Sequence, residues 1–263
     1  MNKNEVMKHY SRYLDELIDN SLYFQFYFQA PVSLDADISN GWEDLEDVWN
    51  DNIHLNFGIS RGCLVDDEYP FVVKFDVLTP CYGDYFDFCS KEVDFYKDAE
   101  KESLSQYFSR PSFIGYYNKE IVTYNFDVYG DAFNPNGDNE DFLERLQEDL
   151  DDRRKAGMSY EKEKITISIP LYAYERAEPL SYFSASREET TMAHSVYKNS
   201  PLIMRTDWIG VHFIKEYGEE EYCRLSDFLV EHRINDLHCG NIGEICGKMV
   251  LIDYAGYHES SDY

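Results

Sequence analysis

Residues 234–256, INDLHCGNIGEICGKMVLIDYAG, constrain the fold of this chain more than any other segment. Two short apolar runs, IGEI and MVLI, stand on either side of Cys-Gly-Lys, and this pattern predicts a β-hairpin. Because a hairpin brings its two ends together, the polar residues that flank it are predicted to meet around one point. Asp236 and Asn241 precede the hairpin, and Asp253 follows it.

Phosphoryl transfer from a nucleotide needs this set of groups. A carboxylate orients the attacking hydroxyl and accepts its proton, while amide and carboxylate oxygens hold Mg²⁺ against the phosphates. The spacing Asp-x₄-Asn is common alone, but together with a hairpin and IDYAG it is fairly specific. A zinc site is disfavoured because the nearby His and Cys residues have no recognised ligand spacing. These residues are His238, Cys239, Cys246 and His258.

The same motifs resemble the protein-kinase-like superfamily, including aminoglycoside and related small-molecule kinases. NDLHCGNIG is similar to the catalytic loop of that group, and LIDYAG is similar to its metal-binding segment. The resemblance implies that Asp236 is the catalytic base and that Asn241 and Asp253 bind Mg²⁺. The loop departs from the family pattern at Ile234, where a His-Arg-Asp or His-Gly-Asp triplet has its histidine.

Upstream segments follow the order of elements in the same superfamily. FVVKFDV resembles the strand with the phosphate-binding lysine, which implies Lys74. KEVDFYKDAEKESLSQYF resembles the next helix, whose glutamate pairs with that lysine, which implies Glu92. ISIPLYAYERA resembles the strand that enters the hinge between the lobes, which implies that an adenine binds near Glu175 and Arg176.

Two parts of the family pattern are incomplete. Gly58 and Gly62, in FGISRG, are candidates for a turn that covers the phosphates, although the segment is not a GxGxxG motif. The family also has an activation segment and several helices after the position of Gly256. We therefore expect the C-lobe to be truncated.

Structural roles remain open for each of these residues. Lys74 is alternatively an edge-strand residue that reaches water, and Glu92 part of a solvated helix face. Asp236 and Asp253 are alternatively turn residues at the ends of a helix and a strand. His238 is interpreted as a structural hydrogen-bonding residue.

The predicted fold class is α+β, arranged as a two-lobed protein-kinase-like fold with a strand-rich N-lobe and a truncated helical C-lobe. Three domains are expected along the chain. They are an N-terminal helix with an acidic extension (1–52), a kinase-like N-lobe (53–175) with a charged insertion (134–163), and a reduced C-lobe (176–263).

Hydrophobic spacing predicts the individual elements. Apolar residues at helical spacing predict an N-terminal helix, with Val6, Tyr10, Leu14 and Leu17 on one face. Further helices are predicted over 87–108 and 219–233, and one short helix within 134–163. Strands are predicted within 53–65, 69–78 and 164–174, and two more within 113–130 around an Asn-Lys turn.

Composition restricts the partners. The formal net charge is −27, so the surface repels nucleic acid and anionic membranes. It suits a basic partner or imitates the charge of DNA, and the alternative is simply a well-solvated surface. Aromatic residues make up 16% of the chain, which is too many for a disordered acidic protein. Six cysteines without a CxxC pair, and a polar N-terminal segment, predict a cytoplasmic protein with reduced thiols. The pattern most resembles small kinase-like proteins encoded by bacteriophages, which implies the host cytoplasm.

The predicted function is that of a kinase, using ATP and Mg²⁺ as a phosphotransferase on a hydroxyl acceptor. The acceptor is expected to be a protein serine or threonine, in a host protein if the chain is phage-encoded, or a small hydroxylated molecule. The alternative is a catalytically weakened pseudokinase that acts as an acidic interaction protein or DNA mimic and binds a basic host protein.

Overall fold

The structure, a computed structural model, has a mixed α+β fold that divides into two compact units. One unit contains Met1–Asp87 and Phe113–Ala173, and the other contains Phe88–Ser112 and Tyr174–Tyr263. The division after Ala173 lies close to the predicted boundary near residue 175. The helix predicted over 87–108 as part of the N-lobe belongs to the second unit. The structure describes residues 1–20, 52–57, 61–76, 88–124, 148, 152, 155–157, 162–180 and 184–254.

The first unit combines one N-terminal helix with a five-stranded sheet of order β1-β2-β3-β5-β4. Strands β1 and β2 pair antiparallel, as do β2 and β3, with Cys63 opposite Lys74. The elements are α1 (Lys3–Asn20), β1 (Ile53–Phe57), β2 (Arg61–Asp66), β3 (Phe71–Asp76), β4 (Ser112–Tyr124) and β5 (Lys162–Glu175).

The core of the first unit lies between α1 and the sheet, which confirms the predicted apolar face of the helix. The four residues predicted to share that face are all buried, and they pack with Leu64, Val73 and Phe75 of the sheet. The Tyr10 hydroxyl also donates a hydrogen bond to the Phe71 carbonyl at 2.6 Å. Helix α1 is therefore an integral part of this unit.

The predicted pair of strands around an Asn-Lys turn is wrong, because β4 runs unbroken through Asn118 and Lys119. Contacts with Asp15 of α1 hold this segment extended. The Lys119 ammonium donates to the Asp15 carbonyl at 3.1 Å and to the Asp15 carboxylate at 3.2 Å. The Tyr117 hydroxyl donates to the same carboxylate at 2.6 Å. Contacts with the end of α1 thus hold a segment that its turn-forming residues would otherwise bend.

The second unit is mainly helical and contains a three-stranded sheet of order β6-β7-β8. Its first helix ends earlier than predicted, at Lys101, where Ser103 adopts a positive φ of 60° and the Leu104 amide donates to Ala99. The elements are α2 (Phe88–Lys101), β6 (Glu178–Pro179), α3 (Arg187–Val196), α4 (Pro201–Met204), α5 (Asp207–Tyr217), α6 (Glu219–Glu231), β7 (Ile242–Ile245) and β8 (Lys248–Leu251), with 3₁₀ turns at Ser105–Tyr107 and Cys239–Asn241.

Helix α6 contributes one apolar face to the core of the second unit. Tyr222, Leu225 and Leu229 are buried, as their helical spacing predicts. Helices α3, α4 and α5 were not predicted. Helix α3 begins with a capping box in which Ser186 and Glu189 bind each other's backbone amides, a signal that is present in the sequence.

Most of the predicted acidic extension and of the insertion 134–163 lies outside the described residues, including most of the short helix predicted there. Within the described part of the chain, no helix is both long enough and apolar enough to span a membrane.

Candidate active site

The predicted β7–β8 hairpin forms and provides the frame of the site, although Lys248 begins β8 and is not part of the turn as predicted. Ile242 pairs with Leu251 and Ile245 with Lys248, so the turn consists of Cys246 and Gly247. Both turn residues have positive φ angles, 52° and 77°, which a two-residue turn of the I′ type requires. The hairpin therefore returns the chain to Asn241, where it began.

A pair of hydrogen bonds brings the predicted catalytic and metal-binding segments together. The Ile252 amide donates to the Asn241 carbonyl at 2.9 Å, which places the residue before Asp253 beside Asn241. The Asn241 side-chain amide donates to the Asp236 carbonyl. Asn241 is only 8% exposed, so this link is protected from water. Asp236, Asn241 and Asp253 thus belong to one connected loop and hairpin.

The donor set at this point suits a hard divalent cation. Because the amide nitrogen of Asn241 binds the Asp236 carbonyl, its amide oxygen is left as the acceptor atom of that side chain. Asp253 adds a partly exposed carboxylate. Two oxygen ligands match Mg²⁺, which commonly takes its remaining ligands from water and substrate phosphates. No cluster of three or more His, Cys, Asp or Glu side chains forms a metal site within the described ranges.

The loop before Asn241 is anchored by apolar side chains. Ile234 and Leu237 are buried in the helical core, and the Ile234 amide donates to the Leu229 carbonyl at 2.8 Å. His238 has the predicted structural role, since its Nδ1 accepts a hydrogen bond from the Gly240 amide at 3.1 Å. Apolar packing of Ile234 therefore fixes the loop at the position where the kinase-like pattern has a histidine.

Asp236 has a basic neighbour that sequence reasoning did not identify. The Nε of Arg205 lies 3.1 Å from Oδ1 of Asp236, and the two side chains are 60% and 23% exposed. This Oδ1 accepts no hydrogen bond from the described residues, so the contact is an ion pair without hydrogen-bond alignment. Arg205 follows the short helix α4, and nothing in its local sequence indicates that it reaches Asp236.

Glu92 is fully buried, with 0% exposure, which excludes the alternative that it belongs to a solvated helix face. Its Oε2 accepts a hydrogen bond from the Tyr174 hydroxyl at 2.6 Å, and its Oε1 accepts one from the Tyr254 amide at 2.9 Å. Burial, followed by the charge of Glu92, raises the pKa of Tyr174 well above its ordinary value. Tyr174 thus remains a hydrogen-bond donor at any ordinary pH.

Tyr254 immediately follows Asp253 and is itself firmly held. Its hydroxyl donates to the Ser109 carbonyl at 2.8 Å, and its ring packs edge-on against Phe108 at 4.9 Å between centroids. The Ser109 amide in turn donates to the Leu251 carbonyl at 2.8 Å. The segment after α2 therefore supports the end of β8 and the residue next to Asp253.

The predicted adenine-binding residues lie near the same hairpin within the second unit. Glu175 ends β5, and the Arg176 guanidinium lies 2.8 Å from the Glu178 carboxylate. Glu178 begins β6, which pairs with β7 through Gly243. A Cβ on Gly243 would lie 2.7 Å from the Ala177 side chain, so glycine is required where this segment crosses the hairpin.

The predicted phosphate-binding residues belong to the first unit. Lys74 lies in β3 and is 8% exposed. Because β3 lies between β2 and β5, the alternative that Lys74 is an edge-strand residue is wrong. Gly62 lies in β2, opposite Phe57 of β1. Gly58 falls outside the described residues.

Comparison with known proteins found no match to any family model, curated protein or solved structure.

Proposed function

We propose that the protein is an ATP- and Mg²⁺-dependent phosphotransferase with a two-lobed protein-kinase-like fold. The observation that carries this proposal is the junction at Asn241. There the Asn241 side-chain amide donates a hydrogen bond to the Asp236 carbonyl, and the Asn241 carbonyl accepts one from the amide N–H of Ile252, the residue before Asp253. One backbone arrangement thus joins the three residues that are proposed as the base and the two oxygen ligands of phosphoryl transfer.

Asp236 is assigned as the base in this reaction. Its carboxylate accepts the proton of the acceptor hydroxyl while the acceptor oxygen bonds to the γ-phosphorus of ATP. The bond between that phosphorus and the bridging oxygen breaks, and ADP leaves with the electron pair. The proposed acceptor is a protein serine or threonine hydroxyl.

Asn241 and Asp253 are assigned to Mg²⁺, which neutralises charge on the phosphates when it is bound. The proposal assigns Lys74 to the α- and β-phosphates and places Glu175 and Arg176 near the adenine. Support comes from the low exposure of Lys74 in an interior strand and from the strand pairing that holds the segment after Arg176 against β7.

An acidic binding protein on the same scaffold is the second candidate. The ion pair between Arg205 and Asp236 favours it, because the guanidinium of Arg205 occupies the carboxylate that would otherwise face the acceptor hydroxyl. The net charge of −27 suits a basic host protein as partner, with the acidic surface acting as a DNA mimic.

Two measurements separate the candidates. Thermal stability with ATP and Mg²⁺ reports nucleotide binding, and labelled phosphate from γ-labelled ATP reports transfer. Wild type is compared with Asp236→Asn and Asp253→Ala, and Asp227→Ala is the matched control because Asp227 is an exposed aspartate of α6. The proposal predicts transfer by wild type and by the control, and loss of transfer in both site variants.

Nucleotide stabilisation without transfer would support a nucleotide-binding pseudokinase. Absence of both signals in wild type would contradict the phosphotransferase proposal. Competition between the protein and DNA for a basic host protein would then support the acidic binding role.

A further inference from the structure

The residue that is proposed to bind the metal is held by a hydrogen-bonded chain that begins at a buried tyrosine. We infer that Tyr174 is a positioning residue, which orders Asp253 for metal binding through the Glu92 carboxylate and the Tyr254 backbone. The inference rests on the proposed function, because it concerns the metal-binding role of Asp253.

The chain of contacts is short and lies wholly within the second unit. The Tyr174 hydroxyl donates to one oxygen of Glu92 at 2.6 Å, and the other oxygen accepts the Tyr254 amide at 2.9 Å. All three residues are almost completely buried. A buried carboxylate keeps its charge only where donors replace water, so the Tyr174 hydroxyl supports the charged state that binds the Tyr254 amide.

Asp253 has a backbone hydrogen bond on each side. The Ile252 amide is tied to the Asn241 carbonyl at 2.9 Å, and the Tyr254 amide is tied to Glu92. The held peptide groups are the one before Ile252 and the one after Asp253, so only the α-carbons of these two residues and the peptide group that joins them lie between. This restrains the direction in which the Asp253 Cα–Cβ bond leaves the backbone. Loosening the Glu92 contact would release one of these constraints and widen the range of positions that the Asp253 carboxylate samples.

The hydroxyl group distinguishes this role from simple packing. Tyr174→Phe removes the donor and keeps the ring in the core. Tyr222→Phe is the matched control, because Tyr222 is also fully buried in the second unit and loses the same atom in the helical core. Both variants remove one buried hydroxyl, but only Tyr174→Phe removes a hydrogen bond to Glu92, since the Tyr222 hydroxyl has no hydrogen-bond partner among the described residues.

The first measurement is amide hydrogen exchange at Tyr254 by NMR, using the full chain without ligands. We expect Tyr174→Phe to accelerate exchange of this amide by roughly tenfold, the scale of one weakened hydrogen bond to a charged group. Tyr222→Phe is expected to leave the Tyr254 amide unchanged. Equal exchange in wild type and Tyr174→Phe, or equal acceleration in both variants, would overturn the inference.

The second measurement is the Mg²⁺ concentration that gives half of the thermal stabilisation by ATP. We expect Tyr174→Phe to raise this concentration roughly tenfold, while ATP binding without Mg²⁺ stays unchanged. A packing role alone would lower the melting temperature without moving the Mg²⁺ midpoint. A Mg²⁺ midpoint unchanged from wild type would therefore overturn the inference.

The two measurements also separate this inference from the proposed function. If wild type shows Mg²⁺-dependent ATP binding and Tyr174→Phe changes nothing, the inference fails alone. If the Tyr254 amide responds but wild type shows no Mg²⁺-dependent binding, the contact is structural, and both the inference and the proposed function are wrong.

Discussion

Two of the hairpins in the described part of the chain, β2–β3 and β7–β8, are built in different ways. The β2–β3 hairpin, which carries Lys74, lies within a five-stranded sheet and is stabilised by apolar side chains packed on α1. The β7–β8 hairpin is two four-residue strands, and its ends are tied by hydrogen bonds to polar groups such as Glu92. The first arrangement depends on buried apolar area. The second also buries Ile242, Met249 and Leu251, and it adds hydrogen bonds that fix the positions of a few polar atoms.

The largest expected effect concerns the loop before the β7–β8 hairpin. Asp236→Asn keeps the shape of the side chain but removes the proposed base, so we expect the rate of phosphate transfer to fall roughly 10²- to 10⁴-fold. Single-turnover transfer from labelled ATP measures this. The same substitution at the exposed Asp227 of α6 is the control and is expected to leave the rate unchanged.

The packing between α1 and the sheet that contains the β2–β3 hairpin is expected to be sensitive to the loss of a buried side chain. Leu14→Ala removes a fully buried side chain from the face of α1 that packs on the sheet, and we expect it to cost about 2–5 kcal/mol of unfolding free energy. Urea unfolding followed by circular dichroism measures the loss. Lys8→Ala, at an exposed position of the same helix, should stay within about 0.5 kcal/mol of wild type. Equal losses would contradict the assigned packing.

The crossing at Gly243 is expected to tolerate no side chain. In Gly243→Ala the new Cβ would meet the Ala177 side chain at 2.7 Å and the Glu178 carbonyl at 3.0 Å, so we expect a loss of about 1–3 kcal/mol. Glu244→Ala is the control on the same strand. Glu244 is exposed and lies opposite the like-charged Glu178, so its removal is not expected to lower the free energy of unfolding. If Gly243→Ala were as stable as that control, the close crossing of this segment would be wrong.

The smallest expected effect concerns the surface and depends on pH. A hydrogen bond from Lys215, and those within the Ser186 cap, lower the pKa of Glu189 from 4.5 to about 2. Because the folded-state pKa is depressed, this stabilisation is present above pH 4.5 and is lost as the pH falls toward 2. Glu189→Gln should therefore be less stable than wild type at neutral pH, and the difference should shrink on acidification in urea unfolding experiments. A difference that is independent of pH would contradict the assigned ion pair.

The sequence predicts the elements that have a clear local signal, either apolar residues at regular spacing or a turn sequence. Helix α1, helix α6 and the β7–β8 hairpin follow from apolar spacing and a turn sequence. The turn expected at Asn118-Lys119 failed because contacts with Asp15, far along the chain, hold these residues in a strand. Tertiary contacts overrode local propensity there.

Within the candidate site, the sequence predicts functional residues but not the contacts that hold them. Glu92 was identified, yet its bonds to Tyr174 and Tyr254 join positions 82 and 162 residues apart, and no local pattern encodes such pairs. The sequence does not predict the ion pair between Arg205 and Asp236 for the same reason. Short-range motifs indicate chemistry, whereas the network that positions it appears only in the folded chain.

The central claim is that the junction at Asn241 assembles a nucleotide–metal site, and Mg²⁺-dependent binding of ATP tests it most directly. Isothermal titration calorimetry with and without Mg²⁺ compares wild type with Asp253→Ala. We predict that Mg²⁺ strengthens ATP binding by wild type and that Asp253→Ala removes this gain. Binding that is absent from wild type, or that shows the same Mg²⁺ dependence in both proteins, would contradict the claim.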